Sequence, residues 1–243
     1  MPAPPRVLRH SGRPALIEDA ADAFVARLAD IQAEGRVPQI ALSGDPLGYH
    51  LLAAAVTRLA DSAVDPSRLG LWWTDDAFVP TDHPDRHSLR ALSLLGGTLH
   101  LDPARIHPIP SSGAYADPEA AAHQYRQELG TTVLDICLLE LGLLGQVAGL
   151  FPVLRPGPAD EPVIGITDAP AAPAARVSLC LPVINAAREV WILAAGGERA
   201  GLVAASFAGA PNLPTARITG QERTWWYLDE AAASLLPFHA CGL

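Results

Sequence analysis

The sequence contains no lysine, so all 17 of its basic side chains are arginine. A chain without a lysine amine has no side chain for Schiff-base chemistry, and it must hold an anionic ligand with arginine, histidine or backbone N–H groups. Charged residues make up only 18% of the 243 residues, and the formal net charge is −9. This excess of negative charge argues against nucleic acid or an anionic membrane surface as a partner.

Cysteine is scarce, and long hydrophobic runs are missing. Cys137, Cys180 and Cys241 are far apart, and two of the three lie in apolar, strand-like runs, so we expect buried small side chains and no disulfide framework. No segment approaches the roughly 18 apolar residues of a membrane span, and the first residues lack the apolar core of a signal peptide. We therefore expect a cytoplasmic protein without a membrane span.

Helix and strand patterns alternate along the chain, and apolar residues make up 49% of it. Helical patterns cover residues 17–34, 47–61, 117–130, 198–209 and 229–236, and runs typical of strands cover 39–44, 69–75, 133–141, 162–168, 176–184 and 189–197. In the third helix Asp117 is the expected N-cap, Pro118 takes the first position and Gly130 ends the helix. The alternation predicts one doubly wound α/β domain over residues 1–243, with helices on both faces of a largely parallel sheet in a Rossmann-like three-layer sandwich. The Pro-rich residues 155–173 are interpreted as a connection within it.

Binding sites in such folds collect where strands end and helices begin. Ser43 and Gly44 lie at the end of the strand-like run 39–44. A glycine turn before a helix can bind a phosphate through backbone N–H groups. It can equally be an ordinary turn in which Ser43 or Asp45 caps the helix, and the sequence leaves both interpretations open.

A second polar stretch, WWTDDAFVPTDHPDRHS, follows another strand pattern. Its titratable side chains are Asp75, Asp76, Asp82, His83, Asp85, Arg86 and His87. His83 and His87 have a spacing that suits a metal ion on a helix, but Pro84 disfavours a helix through both. A polar loop without a metal is therefore the expectation.

The stretch LLELGLLGQVAGLFP, residues 138–152, predicts a strand, a glycine-punctuated turn and a short helix. Gln146 is the only polar side chain between Gly142 and Phe151. Further along, Arg176 begins a strand after a Pro-rich approach, where it is either a ligand contact or a surface residue at the strand entrance.

Together these segments resemble the 6-phosphogluconolactonase family, which is related to the glucosamine-6-phosphate deaminases. The family pattern includes SGGSTP, WxDERxVP with DHPDSN, IHPIP, LGxGxDGHxASLFP and PxxRxTLTLPxxNAAR. This chain has ALSGDP, WWTDDAFVPTDHPDRH, IHPIP, LLELGLLGQVAGLFP and PAARVSLCLPVINAAR in the same order, and the resemblance runs from about Ile40 to Leu236. It implies hydrolysis of 6-phosphogluconolactone in the pentose phosphate pathway without metal or cofactor. The DGH histidine acts as general base, and the DER and PxxR arginines help to hold the phosphate.

Several positions depart from that pattern, among them Arg86 and His87 in place of the family's SN and Ala171 in place of a lysine. Gln146 stands in place of the general-base histidine, Leu144 in place of the loop aspartate, and Ala77 in place of the DER arginine. Asp45 and Glu140 replace family glycines and add negative charge where a dianion should bind. A carboxamide has no pKa near neutrality, so Gln146 can orient a water molecule but cannot take its proton.

The resemblance and its departures define the expected site. Expected substrate contacts are Ser43, Gly44, Arg86, Gly142, Gly145 and Arg176, and the position of the family's general base is occupied by Gln146. Arg86 or His87 is a candidate to replace the missing phosphate arginine, and Asp75, Asp76 or His87 a candidate to replace the base. No metal ion or cofactor is expected.

We therefore expect a family member whose lactone hydrolysis is weak or lost, with a sugar phosphate or a related small molecule as ligand. One alternative is a pseudoenzyme that binds a sugar derivative or a protein partner such as glucose-6-phosphate dehydrogenase. Another is altered chemistry on a different sugar or lactone. A deaminase is less favoured because that reaction also needs acid–base groups in the loop.

Overall fold

A six-stranded parallel sheet forms the centre of the computed structural model, which describes residues 4–152 and 161–237. Its strands lie side by side in the order β1 (Arg6–His10), β9 (Arg223–Asp229), β8 (Glu189–Ala194), β5 (Ile136–Glu140), β2 (Gln39–Leu42) and β3 (Gly70–Trp73). Every neighbouring pair in this sheet is parallel. The predicted α/β class with a largely parallel sheet is confirmed.

A smaller antiparallel sheet of three strands lies beside the main one. Its order is β4 (Asp75–Ala77), β7 (Arg176–Leu179) and β6 (Val163–Ile166). Ala77 pairs with Arg176, and Asp75 pairs with Ser178. This pairing brings the acidic stretch after β3 next to an arginine about one hundred residues later in the chain.

Six α-helices connect the strands of the described residues. They are α1 (Arg13–Ala33), α2 (Pro46–Ala60), α3 (His87–Gly96), α4 (Pro118–Leu129), α5 (Leu181–Ala186) and α6 (Ala200–Phe207). The predicted ends of α4 are confirmed, because the Asp117 carboxylate accepts the Ala120 N–H at 2.8 Å and Gly130 ends the helix with a φ of 52°.

The core surrounds the middle strands. Every residue of β5 and β8 is buried, which explains why both strands read as nearly continuous apolar runs in the sequence. Cys137 and Cys180 are buried free thiols, and Cys241 lies outside the described residues. No helix of the described chain is long and apolar enough to cross a bilayer.

Two predicted helices are wrong. In the stretch 138–152, Val147 and Leu150 form an isolated antiparallel bridge, and Ala148 has a φ of 50°, which no helix contains. The second wrong helix is the one predicted over 229–236, because residues 230–236 form turns instead. The Asp229 carboxylate accepts the Ala232 N–H within these turns. The prediction for 155–173 can be followed only from residue 161 onward, because 153–160 lie outside the described residues.

The order of the strands places a crevice between β2 and β5. From β2 the sheet extends outward to β3, whereas from β5 it extends in the opposite direction to β8. Loops that leave two such strands diverge, and open α/β sheets bind ligands at this point. Residues 43–45 follow β2 and residues 141–146 follow β5, so both predicted loops meet there.

Candidate active site

A cavity of about 210 Å³ lies at this crevice. It is lined by Asp45, Ala77, Asp85, His87, Arg90, Gln146, Ala148, Phe151, Ala171, Ala172, Pro173 and Arg176. The structure therefore brings three of the predicted site residues, His87, Gln146 and Arg176, to one cavity.

His87 is the first residue of α3, and its ring lies against the backbone of Gly44. A Cβ atom at Gly44 would be 1.9 Å from His87 Cγ, so this position requires glycine. His87 Nδ1 lies 3.1 Å from the carbonyl oxygen of Asp75 and 3.4 Å from its Oδ1 atom. Nε2 has no hydrogen bond to any described residue and remains available to a ligand.

The carboxylates around His87 keep its ring charged. Burial by itself would lower the pKa of His87, but the charge and hydrogen bond of Asp75, together with the charges of Asp76 and Asp45, raise this pKa to about 9. The ring is therefore an imidazolium at neutral pH. It can attract an anion, and it cannot accept the proton of a water molecule.

Arg176 begins β7 and contacts Asp75 from the other side. Its Nη1 atom lies 3.3 Å from Asp75 Oδ2, and Nε and Nη2 donate to the carbonyl oxygens of Pro173 and Ala171. Burial opposes ionisation of Asp75, but His87 and Arg176 hold the pKa of Asp75 below its usual value. The guanidinium is consequently largely engaged by protein atoms and can offer a ligand only part of its five donors.

Asp45 contributes one of the two carboxylates that line the cavity, and Asp85 contributes the other. It is half-buried and stands at the N-cap position of α2 without capping it. Its Oδ2 atom accepts the Ser43 hydroxyl at 3.3 Å, and Oδ1 has no hydrogen-bond partner among the described residues. Burial and the charge of Asp75 raise the pKa of Asp45 to about 6.

Gln146 is held inside its own loop. Its Oε1 atom accepts the Leu144 N–H at 3.0 Å, and a Cβ atom at Gly142 would be 2.0 Å from Gln146 Nε2. Gly145 has a φ of 77°, and an added Cβ there would also come within 2.9 Å of Leu213. Gly142 and Gly145 therefore shape the loop around the carboxamide. The Leu144 side chain is half exposed and is not among the residues that line the cavity.

Asp76 and Arg86 are not among the cavity-lining residues. Arg86 is buried, and it donates to the carbonyl oxygens of Ala77 and Ile109 and to the Ser88 hydroxyl. The Asp76 carboxylate accepts the N–H groups of the first residues of α3, His87 and Ser88. These contacts tie α3 to β4, so both predicted site residues position His87 instead of facing the cavity.

Ser43 and Gly44 do not line the cavity, but each contacts a residue that does. Ser43 is buried and bonds to Asp45, whereas Gly44 supports the His87 ring. The N-terminus of α2, which one of the two interpretations of this turn makes a candidate anion site, is occupied by a protein carboxylate. Glu140 Oε2 accepts the Leu47 N–H at 2.6 Å. A carboxylate from the end of β5 thus takes the place that a ligand phosphate would need.

Sequence reasoning missed Arg90 and Phe151 as cavity residues. Arg90 is exposed, its guanidinium lies 4.8 Å from the centre of the Tyr49 ring, and it follows His87 by three residues on α3. Residues three apart on a helix share a face, so the signal exists once α3 is known to begin at His87. Phe151 packs its ring 5.6 Å from the Arg176 guanidinium.

Fold and cavity together define a Rossmann-like α/β protein with a candidate small-molecule site at the topological switch point of its sheet. The family described as glucosamine-6-phosphate isomerases/6-phosphogluconolactonase matches residues 11–226. The chain belongs to this family.

Individual relatives agree with that assignment. A 6-phosphogluconolactonase of Streptomyces coelicolor is 40% identical over 249 residues, which cover 96% of this chain and 95% of that protein. One from Mycobacterium leprae is 35% identical over 82% of this chain and 85% of its own length. The solved structure of 6-phosphogluconolactonase from Trypanosoma cruzi superposes with a TM-score of 0.85 at 21% identity, over 98% of this chain and 99% of that one. This last likeness supports the fold.

Proposed function

We propose that the chain binds a phosphorylated sugar lactone of the 6-phosphogluconolactone type in this cavity and hydrolyses it slowly. The substrate class comes from the relatives named 6-phosphogluconolactonase, whose similarity covers 96% and 82% of the chain. A cytoplasmic location is part of the proposal, as expected of a chain without a disulfide framework.

The observation that carries the proposal is that three cationic side chains line a cavity whose neighbouring loop lacks a general base. His87, Arg90 and Arg176 line the same cavity, so an anionic sugar has three positively charged contacts. Gln146 lines it as well, but its carboxamide is bonded to the Leu144 N–H. Loss of a general base typically lowers a rate by ~10²–10⁴-fold, so hydrolysis by the family mechanism should be slow.

Weak binding of a phosphate dianion follows from the acidic groups around the cavity. At ~4 Å and an effective dielectric constant of ~20, a single pair of like charges repels by about 4 kcal/mol. Asp45 lines the cavity, and Glu140 already occupies the N-terminus of α2. The imidazolium of His87 offsets part of this repulsion, so binding should be present but weaker than in a site of arginines alone.

A pseudoenzyme that binds a sugar derivative without turnover is the second candidate. The observations that favour it are the hydrogen bond that already engages Gln146 Oε1 and the exposure of Leu143 and Leu144 beside it, at 58% and 52%. A protein partner such as glucose-6-phosphate dehydrogenase is a prediction of this second candidate, whereas altered chemistry on a different sugar or lactone is a separate alternative.

Two measurements on the purified protein test the proposal. Calorimetric titration with 6-phosphogluconate should show weak binding, and Arg176→Ala should weaken it, whereas Arg105→Ala, at a half-exposed position outside the cavity, should not. Turnover of 6-phosphogluconolactone, after subtraction of spontaneous ring opening, should exceed the buffer rate. Binding without turnover would establish the pseudoenzyme, and the absence of both would refute the proposed substrate class.

A further inference from the structure

We propose that Asp45 is the general base of this cavity and performs the proton transfer that Gln146 cannot perform. The inference rests on the proposed lactone hydrolysis and assigns one of its steps to a residue that replaces a family glycine. In this proposal Asp45 takes part in the proton transfer and does not only repel the anionic substrate.

The Asp45 carboxylate has an oxygen that is available to a water molecule. The two carboxylates that flank His87 are committed to protein contacts: Asp75 lies between His87 and Arg176, and Asp76 accepts N–H groups of α3. Asp85, the second carboxylate of the cavity, is exposed to solvent and lies 3.8 Å from His83 Nδ1. Asp45 accepts a single hydrogen bond from Ser43 and leaves Oδ1 without a partner among the described residues. A general base needs such a free oxygen within reach of a water molecule.

Asp45 is also well placed for this role. Asp45 lines the cavity together with Gln146, His87 and Arg176. Water held between Asp45 and the Gln146 carboxamide would have a proton acceptor on one side and an orienting amide on the other. Asp45 stands at the first turn of α2, at the end of the crevice formed by β2 and β5, so its backbone is fixed by the strand–helix junction.

The charges around Asp45 suit this task. Charged groups that act on it are Asp75, His87 and Arg176, and Glu140 lies close enough to be influenced by it. Burial and Asp75 raise the pKa of Asp45 to about 6, whereas the pKa of His87 is raised to about 9. Between these values Asp45 is an anion that can accept a proton, and His87 is a cation that can bind the negative end of the substrate.

The reaction step balances without a further reactant. Asp45 takes a proton from water as the water oxygen bonds to the lactone carbonyl carbon, and the carbonyl electron pair moves to its oxygen. The tetrahedral intermediate then breaks the ring C–O bond, and the ring oxygen takes the proton back from the Asp45 carboxylic acid to become a hydroxyl group. One water molecule is consumed, and the hydroxy acid that forms releases its own proton to solvent.

The test compares Asp45→Asn and Asp45→Glu with Asp61→Asn. Asp61 is an exposed aspartate that caps the other end of α2 and lies outside the cavity, so it is a matched control. We expect Asp45→Asn to lower kcat by ~10²-fold or more, Asp45→Glu to retain part of the rate, and Asp61→Asn to behave as the wild type. The wild-type rate should rise with pH through about 6 as Asp45 loses its proton, and Asp45→Asn should lose this rise.

Other results would overturn the inference. If Asp45 only repels the substrate, Asp45→Asn will lower KM and leave or raise kcat. A wild type without any turnover also excludes a base at this position. Binding of 6-phosphogluconate to folded Asp45→Asn separates the two levels: binding with unchanged kcat contradicts only the role of Asp45, whereas loss of binding in the wild type itself contradicts the proposed function.

Discussion

Glu140→Gln should make the protein more stable above neutral pH. The Glu140 carboxylate is buried at the end of β5, where it accepts the Leu47 N–H at 2.6 Å and lies 3.5 Å from Arg199. Burial and the charge of Asp45 raise the pKa of Glu140 from 4.5 to about 7, against the opposing effects of Leu47 and Arg199. Folding therefore favours the protonated form of this group.

The sign and size of the effect follow from this shift. Because the folded protein binds the proton more tightly than the unfolded chain, the contribution of Glu140 to stability is fully present below pH 4.5 and is lost as the pH rises to about 7. A shift of ~2.5 units corresponds to about 3 kcal/mol. Glutamine does not titrate and can still accept the Leu47 N–H, so the variant should avoid most of this loss at pH 8.

Urea unfolding of wild type and Glu140→Gln at pH 5 and pH 8 measures the effect. The stability difference should favour the variant and grow between the two pH values. Glu198→Gln is the matched control, because Glu198 pairs with the same Arg199 but is exposed, and its effect should stay below about 1 kcal/mol at both pH values. A variant that is less stable than the wild type at pH 8, or a difference independent of pH, would refute the reasoning.

Two further predictions concern the cavity. Arg176→Ala should lower the affinity for 6-phosphogluconate by at least ~10-fold in calorimetry, because a hydrogen bond to a charged group contributes ~1.5–3 kcal/mol; unchanged affinity would assign the anion to other basic groups. Gln146→His alone should restore little lactonase activity. A fivefold variant, defined below, should gain more activity than the sum of the gains from its single substitutions, since the effects of residues that act as one catalytic unit are not additive. Full activity from the single change would contradict this account of the loop. The fivefold variant combines Asp45→Gly, Ala77→Arg, Glu140→Gly, Leu144→Asp and Gln146→His.

Much of the fold can be predicted from the sequence because buried strands and capped helices have local signatures. The run that forms β5 is apolar up to its last residue, Glu140, and Asp117 and Gly130 mark the ends of α4 as predicted. The strand β4 is only three residues long and acidic, and it exists because β7 pairs with it, so no local pattern indicates it. The start of α3 at His87 depends likewise on Asp76, which accepts its first N–H groups.

Three residues of the cavity, His87, Gln146 and Arg176, were predicted from the sequence, but their roles were not. His87 and Arg176 follow from motif positions, and the structure brings both to the cavity. Arg86 has the residue type of an anion ligand, but a buried arginine needs acceptors, and it finds them in the Ala77 and Ile109 carbonyl oxygens. The sequence does not show which carboxylates are already engaged by hydrogen bonds and which, like Asp45, keep an oxygen without a partner among the described residues, because this depends on the three-dimensional contacts.

The steady-state rate of 6-phosphogluconolactone hydrolysis by the purified wild type, corrected for spontaneous ring opening, tests the central claim most directly. A cavity with Gln146 at the family's base position should turn over measurably but with a kcat below the usual enzyme range of ~1–10³ s⁻¹. A kcat inside that range would contradict the account, because it would require a base at least as effective as the one that the loop has lost.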